Sequence, residues 1–140
     1  MKKLDPYLNF NGNTEAAFLF YRSVFGGEFS MLMRFRDMPG SDKMPEEDKD
    51  KILNVSLPIG DQNVLMGTDV LESLNQHITI GDNFSISISV DEEVETRRLF
   101  DGLSAGGQVI MPLGKESWSA LFGICKDKFG IQWMLNYTGK

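Results

Sequence analysis

Residues 7–27 carry the pattern that decides the fold: Tyr7-Leu8-Asn9-Phe10, a helix-forming segment that ends Phe20-Tyr21-Arg22-Ser23-Val24-Phe25, and then Gly26-Gly27. The same order of features returns in residues 86–107, where Ile86-Ser87-Ile88-Ser89-Val90 precedes a second helix-forming segment and Gly106-Gly107. The two Gly-Gly pairs are 80 positions apart, a spacing too long for a solenoid repeat but suited to two half-domains. The sequence therefore predicts one strand–helix–strand unit, present twice.

The composition restricts the classes of function. A chain of 140 residues, 41% of them hydrophobic, predicts one globular domain over residues 1–140. Its net charge is −6 without a basic cluster, which argues against phosphate-mediated nucleic-acid binding. The sequence has no apolar run of membrane-spanning length, no signal segment after Met1, and a single cysteine, Cys125. We therefore expect a cytoplasmic protein with no membrane or nucleic-acid partner.

Periodicity predicts the elements of the first half. Apolar residues at helical spacing from Ala17 to Phe25 form one stripe of a helix that Asn13 or Thr14 could cap and Gly26-Gly27 ends. Alternation predicts strands at 7–10, 29–35, 53–57 and 63–66. The polar segment from Pro39 to Lys51 is typical of an exposed loop, and Asp69 to Asp82 of a linker between the halves.

The second half repeats this plan. Phe84, Ile86, Ile88 and Val90 alternate with serines, which predicts a strand, and Asp91 is a suitable helix N-cap. Further strands are expected at 109–113, 120–125 and 131–137. The fold class is thus α+β: two βαβββ modules, about 5–70 and 83–138, forming a curved, mostly antiparallel sheet with helices on one face.

This arrangement resembles the vicinal oxygen chelate superfamily, which includes glyoxalase I, extradiol dioxygenases and bleomycin-resistance proteins, and most closely its PhnB-like subgroup. The matching stretches are Tyr7-Leu8-Asn9-Phe10-Asn11-Gly12-Asn13, Phe20-Tyr21-Arg22-Ser23-Val24-Phe25-Gly26-Gly27, Leu65-Met66-Gly67-Thr68-Asp69, Gly106-Gly107-Gln108-Val109 and Asp127-Lys128-Phe129-Gly130-Ile131-Gln132-Trp133-Met134. The resemblance implies a homodimer with cupped half-barrels. Subgroup members are sometimes labelled ubiquinone methyltransferases, but this sequence has no glycine-rich nucleotide loop of the kind that label suggests.

Enzymes of the superfamily hold a divalent metal with side chains of the first and last strand of each module. The resemblance places these positions near Pro6 or Tyr7, at Ser85, and at Met66 and Met134. None is a usual ligand of a hard divalent cation, so we expect no bound metal and no other cofactor. The only histidine, His77, is interpreted as a surface or packing residue. Asp69 is interpreted as a turn or cap residue, with a catalytic role as the alternative.

Alternation also predicts which side chains point away from the helices and could contact a ligand in a cup between the modules. These ligand-binding candidates are Tyr7, Asn9, Asn54, Ser56, Ser85, Ser87, Trp118, Gln132 and Met134. The alternative is that they face water or a dimer partner. Trp118 and Trp133 are more simply interpreted as core or interface residues. The methionines are interpreted as residues that fill gaps in the core, and the alternative for Met31, Met33, Met38 and Met44 is an apolar mouth.

The thiol of Cys125 and the side chains of Arg34 and Arg36 each have a functional and a structural interpretation. Cys125 is interpreted as a buried, inert thiol rather than a nucleophile. Arg34 and Arg36, two positions apart, could bind an anion, or could simply face solvent beside acidic residues.

The sequence thus predicts a PhnB-like protein that binds an unidentified small molecule in the cup, with the usual metal site degenerate. The alternative is a vicinal oxygen chelate enzyme of lyase, isomerase or transferase type, acting with a divalent metal or without one. A third possibility is a dimer that binds no ligand. We assign no catalytic residue from the sequence.

Overall fold

The protein is described by a computed structural model that covers residues 1–139. The chain divides into two compact units, unit 1 from Met1 to Thr79 and unit 2 from Ile80 onward. Each unit contains one four-stranded mixed sheet and one long helix, which confirms the α+β class with repeated βαβββ units. No helix among residues 1–139 has the length and apolar character needed to cross a membrane.

Unit 1 begins with a strand and a helix, as the sequence predicts. Its elements are β1 (Tyr7–Phe10), α1 (Thr14–Phe25), β2 (Met31–Arg34), α2 (Glu46–Lys49), β3 (Ile52–Ile59) and β4 (Asn63–Asp69). The strand order is β1-β4-β3-β2, with β1 parallel to β4 and the other pairs antiparallel. The predicted loop from Pro39 to Lys51 therefore contains a short helix, and within it Asp48 is buried.

The core of unit 1 lies between α1 and the sheet. Phe18 packs edge-on against Phe10 and Tyr21, with ring centroids 6.5 and 5.4 Å away. Gly67 on β4 allows this close approach, because a Cβ atom there would lie 2.5 Å from Cε1 of Phe18. The predicted helical stripe is confirmed as the face that α1 buries, although Phe25 at its end is only half-buried.

The N-terminus of α1 is capped by a residue distant in sequence. Asn13, one of the two residues expected there, occupies the N-cap position but makes no side-chain cap hydrogen bond. Asp69, at the end of β4, instead accepts hydrogen bonds from the backbone N–H and the hydroxyl of Thr14, at 3.1 and 2.6 Å. The carboxylate satisfies a donor that the first helical turn leaves free.

Unit 2 repeats the topology. Its elements are β5 (Ile86–Val90), α3 (Glu93–Ser104), β6 (Gln108–Glu116), β7 (Ser119–Lys126) and β8 (Gln132–Tyr137). The strand order is β5-β8-β7-β6, with β5 parallel to β8. Asp91 is not the helix N-cap, because α3 starts at Glu93 with Glu92 before it. Phe84 precedes the strand and is exposed.

The core of unit 2 is built around Trp133 on β8. This side chain is buried, and its indole Nε1–H donates to the carboxylate of Asp127 at 2.8 Å. Gly123 on β7 lies under Phe100 of α3, where a Cβ atom would come within 2.9 Å of Cε1 of the ring. Both units thus use a glycine in the sheet to seat an aromatic ring of the helix.

The edge strands β2 and β6 are the least covered parts of the two sheets. Met31, Leu32 and Met33 on β2 are exposed, and so are residues 109–111 on β6. The interpretation of the methionines as core residues is therefore wrong for Met31 and Met33, and also for Met38. Each of these strands lies at an edge of its sheet and has no neighbouring strand on one side, so apolar side chains there stay in contact with water.

Candidate functional site

The candidate site in unit 1 is the sheet face that points away from α1. Leu8 and Phe10 are buried beneath the helix, whereas Tyr7 and Asn9 on β1 are exposed on the opposite face. The strand register aligns one row of side chains across this face. The row runs Tyr7, Met66, Ser56 and Met31, from β1 through β4 and β3 to β2.

Unit 2 contains the equivalent row. It runs Ser87, Met134, Ile124 and Met111, from β5 through β8 and β7 to β6. The pairing makes Ser87 the counterpart of Tyr7, so the assignment of that position to Ser85 was shifted by two residues. Ser85 lies just before β5, where its hydroxyl accepts a hydrogen bond from Nε2 of Gln132 at 2.6 Å.

The structure therefore brings the sequence-predicted ligand-binding residues together in two groups, one per unit. Tyr7, Asn9, Asn54 and Ser56 belong to the unit 1 face, and Ser85, Ser87, Gln132 and Met134 to the unit 2 face. The ligand-binding candidates did not include the residues that complete each row on the outer strands, Met31 and Met111. Alternation along β2 contained that signal, but the methionines there were interpreted as core.

Four neutral side chains of the two rows are a phenol, a hydroxyl and two thioethers, from Tyr7, Ser87, Met66 and Met134. Hard divalent cations prefer carboxylate, imidazole and water, and thioethers select soft metals. This donor set does not fit a hard divalent ion. Within residues 1–139, no three side chains of His, Cys, Asp or Glu come together as a metal-binding group. His77 is exposed and pairs with Oδ1 of Asn75 at 3.2 Å.

Asp69 has a structural role. Besides Thr14, it accepts hydrogen bonds from the backbone N–H groups of Gly12 at 3.0 Å and Ile52 at 2.8 Å. The carboxylate is 3% exposed, and these partners occupy both of its oxygens. The interpretation as a cap and turn residue agrees with this geometry.

Each unit carries one polar group whose hydrogen-bonding capacity is unused. Oδ1 of Asn54 on β3 and Oδ1 of Asn136 on β8 are shielded from solvent and have no donor among the described residues. The Nδ2 group of Asn54 lies 3.2 Å from Sδ of Met31. A buried acceptor without a donor costs free energy of about 1–3 kcal/mol, so these two oxygens mark places where an added donor would stabilise the protein.

Trp118 lies at the turn between β6 and β7 and is 61% exposed, so it is not a core residue, and its roles at an interface or in ligand contact remain predictions. Its ring makes an edge contact with Phe122 at a centroid distance of 5.7 Å. A groove of about 580 Å³ runs beside it, lined by Lys115, Glu116, Ser117, Trp118, Ser119, Ala120 and Thr138. Trp133, by contrast, is a core residue.

Neither the thiol nor the arginines form a reactive site. Cys125 is buried, and this burial, with a smaller contribution from Asp127, raises the pKa of its thiol to about 11. Arg34 binds both carboxylate oxygens of Glu15, at 3.0 and 2.6 Å. Arg36 binds Asp50 at 2.8 Å. Both guanidinium groups already have carboxylate partners, which disfavours the anion-binding interpretation.

Comparison with known proteins places this fold in a family. The family model described as 3-demethylubiquinone-9 3-methyltransferase matches residues 2–136. The chain belongs to this family. The match agrees with the PhnB-like resemblance of the sequence, and solved structures of glyoxalase-related proteins share the fold.

Individual relatives agree with this assignment. Protein PA1353 from Pseudomonas aeruginosa is 38% identical, with a TM-score of 0.86 over 98% of each chain. The PhnB protein from Bacillus cereus is 26% identical, with a TM-score of 0.79 over 97% of this chain and 99% of that one. Protein YjdN from Escherichia coli is 29% identical over 95% of this chain and 93% of its own length. The family members therefore match along nearly the whole chain.

Proposed function

We propose that this protein binds a neutral small molecule on the open faces of its two sheets, without a hard divalent metal. The observation that carries the proposal is the pair of aligned rows, in which Met66 and Met134 occupy the last-strand positions. In both rows the side chains are neutral. The sequence predicts that both faces contribute to one cup, and this remains a prediction.

The chemistry of the rows favours an uncharged, polarisable ligand. Thioethers and a phenol contact apolar and aromatic groups well, while serine hydroxyls both donate and accept hydrogen bonds. A ligand with a full charge would find no opposite charge in either row. Binding sites for small molecules typically combine such apolar walls with a few polar groups.

We do not propose for this protein the methyltransferase activity that the family description names. The sequence has no glycine-rich loop of the G-x-G-x-x-G type, which would indicate a nucleotide-like cofactor at a helix N-terminus. The first strand of unit 1 leads into Asn11-Gly12-Asn13, and that of unit 2 into Asp91-Glu92. Neither turn has the glycines that bring a backbone close to a phosphate.

A screen of small molecules by thermal shift, followed by calorimetric titration of any stabilising compound, tests the proposal. Ser87 is exposed on the open face of β5, so Ser87→Trp is expected to weaken binding at least tenfold by filling that face. Ala16 is exposed on α1, on the other side of its sheet, and Ala16→Trp is the matched control that should leave binding unchanged. A screen in which no compound stabilises the chain would contradict the proposal.

Metal analysis of protein purified without chelators tests the proposal that ligand binding needs no hard divalent metal. We expect less than one divalent ion per ten chains, because the donors at the superfamily positions are thioethers and hydroxyls. One nickel, zinc, manganese or iron ion per chain would instead favour the alternative, a metal-dependent enzyme of the superfamily.

We also propose a homodimer. The exposed apolar residues Val109, Ile110 and Met111 on β6 support it, because an uncovered edge strand tends to find a partner. Light scattering over a range of concentrations should give twice the chain mass. A mass equal to one chain at all concentrations would contradict this proposal and leave the ligand-binding proposal standing.

A further inference from the structure

The tip of the β6–β7 hairpin presents an aromatic surface to solvent. Trp118 is 61% exposed and packs edge-on against Phe122, which lies on the open face of β7. A large aromatic side chain held in a fixed geometry yet left in water is typical of a surface that contacts another molecule.

There is open space beside this pair. Gly114 on β6 pairs with Phe122 in the sheet register, and a Cβ atom at Gly114 would meet nothing closer than 3.9 Å. The groove beside Trp118 continues along Ala120 and Thr138. Ala120 is two positions from Phe122, and Thr138 is two positions from Asn136, the residue that pairs with Phe122, so these residues lie on the same face. A flat ring that lies along Trp118 and Phe122 would extend toward Asn136.

A hydrogen-bond acceptor lies beside Phe122 in the sheet. Asn136 pairs with Phe122 on one side and with Ser89 on the other. Its Oδ1 atom is shielded from solvent and has no donor among the described residues. The terminal torsion of an asparagine side chain has broad minima, so the amide can turn its oxygen toward the groove when a donor arrives.

The side chains that line the groove have no net charge. The groove is lined by one cationic side chain, Lys115, and one anionic side chain, Glu116. This groove attracts neither sign of charge strongly, which favours an uncharged ligand.

We infer that unit 2 recognises a planar, neutral aromatic compound that carries an N–H donor, with its ring against Trp118 and Phe122 and its N–H directed at Asn136. The inference rests on the proposed small-molecule binding and specifies the class of ligand. It assigns Trp118 as the ring contact and Asn136 as the residue that selects for the donor.

Indole and 1-methylindole are matched probes, because they share a ring system and differ in the N–H donor. Titration of each into the full ¹⁵N-labelled chain can be followed through the two tryptophan Nε1–H resonances. Trp118 lies in the groove, while Trp133 is buried and bonded to Asp127, so Trp133 is an internal control for folding. We expect a saturable shift of the Trp118 resonance alone, with indole binding about five-fold more tightly, the value of one net hydrogen bond.

Two variants separate the parts of the inference. Asn136→Leu keeps the branched shape and the number of heavy atoms and removes the acceptor, and should make the two probes bind equally. Trp118→Ala should weaken both probes at least five-fold, with the Trp133 resonance unchanged. Equal binding of the probes to the unsubstituted chain, or a Trp118 resonance that neither probe shifts, would overturn the inference. If the thermal-shift screen finds a ligand that Trp118→Ala binds normally, this inference fails and the proposed function stands.

Discussion

The hydroxyl of Thr14 donates a hydrogen bond to the carboxylate of Asp69 at 2.6 Å, which ties the last strand of unit 1 to the start of its helix. The same carboxylate accepts from the backbone of Gly12 and Ile52. One buried side chain thereby fixes the ends of three segments that are 17 to 57 positions apart in sequence.

Asp69→Asn should destabilise the chain by about 2–4 kcal/mol, because the amide has one acceptor oxygen where the carboxylate has two and places an NH₂ group against a backbone donor. Urea unfolding followed by circular dichroism measures the loss. Asp61 lies in the exposed turn before β4, so Asp61→Asn is the matched control. Equal stability of the two variants would show that the Asp69 network contributes little.

The carboxyl group of Asp48 should account for part of the stability that unit 1 loses at low pH. Hydrogen bonds from the Ser73 hydroxyl at 2.5 Å and the Lys51 ammonium at 2.9 Å hold the pKa of this buried carboxyl below its usual value. When the pKa of a carboxyl group is lower in the folded state than in the unfolded state, its charge stabilises the fold. This contribution is fully present above the unfolded-state pKa of about 3.9 and is lost as the pH falls through the folded-state pKa.

Asp48→Asn should therefore be less stable than the unsubstituted chain at neutral pH, by about 1–3 kcal/mol, and the difference should shrink as the pH falls below about 4. Denaturant unfolding at a series of pH values measures it. Asp82→Asn, at an exposed position, is the control and should give parallel curves. A deficit for Asp48→Asn that stays constant at low pH would contradict the role of its charge.

Gly67→Ala should cost about 1–3 kcal/mol of stability, because the new methyl group would collide with the Phe18 ring at the helix–sheet contact. Gly114→Ala is the matched control, since its nearest neighbour would be at 3.9 Å. Thermal unfolding of the two variants gives the comparison. A Gly67→Ala variant as stable as Gly114→Ala would mean that the helix moves away from the sheet at no cost.

The thiol of Cys125 should resist disulfide exchange in the folded chain. Its thiol has a pKa of about 11 and is buried, so almost none of it is thiolate at about pH 8, whereas an unfolded thiol with a pKa of about 8.5 reacts readily. A disulfide-exchange reagent should label the chain fully in guanidinium chloride and hardly at all without it. Cys125→Ser provides the background. Full labelling of the folded chain would indicate an accessible, activated thiol.

The strands and helices could be predicted because their signals are local. Alternation in residues 86–90 and the helical stripe ending at Val24 and Phe25 are visible in short windows, and both elements form. The caps could not be predicted in the same way, because the group that caps α1 comes from Asp69, at the end of β4. Thr14 and Asp69 are 55 positions apart, so no short window of the sequence contains both residues.

The candidate site was predicted in part. Alternation assigned Tyr7 and Met134 to the correct face, but alternation does not give the register between strands. For that reason Ser85 rather than Ser87 was aligned with Tyr7. The exposure of Trp118 also depends on tertiary structure, since the sequence does not show that the hairpin tip is uncovered.

The thioethers of the aligned rows have a consequence for the chain under oxidative stress. Met31, at the outer end of the unit 1 row, is 46% exposed, so peroxide should reach its sulfur atom well before it reaches Cys125. Oxidation would convert it into a polar, chiral sulfoxide. The recognition surface would then change its chemistry while the fold persists, and a methionine sulfoxide reductase would return it to its original state.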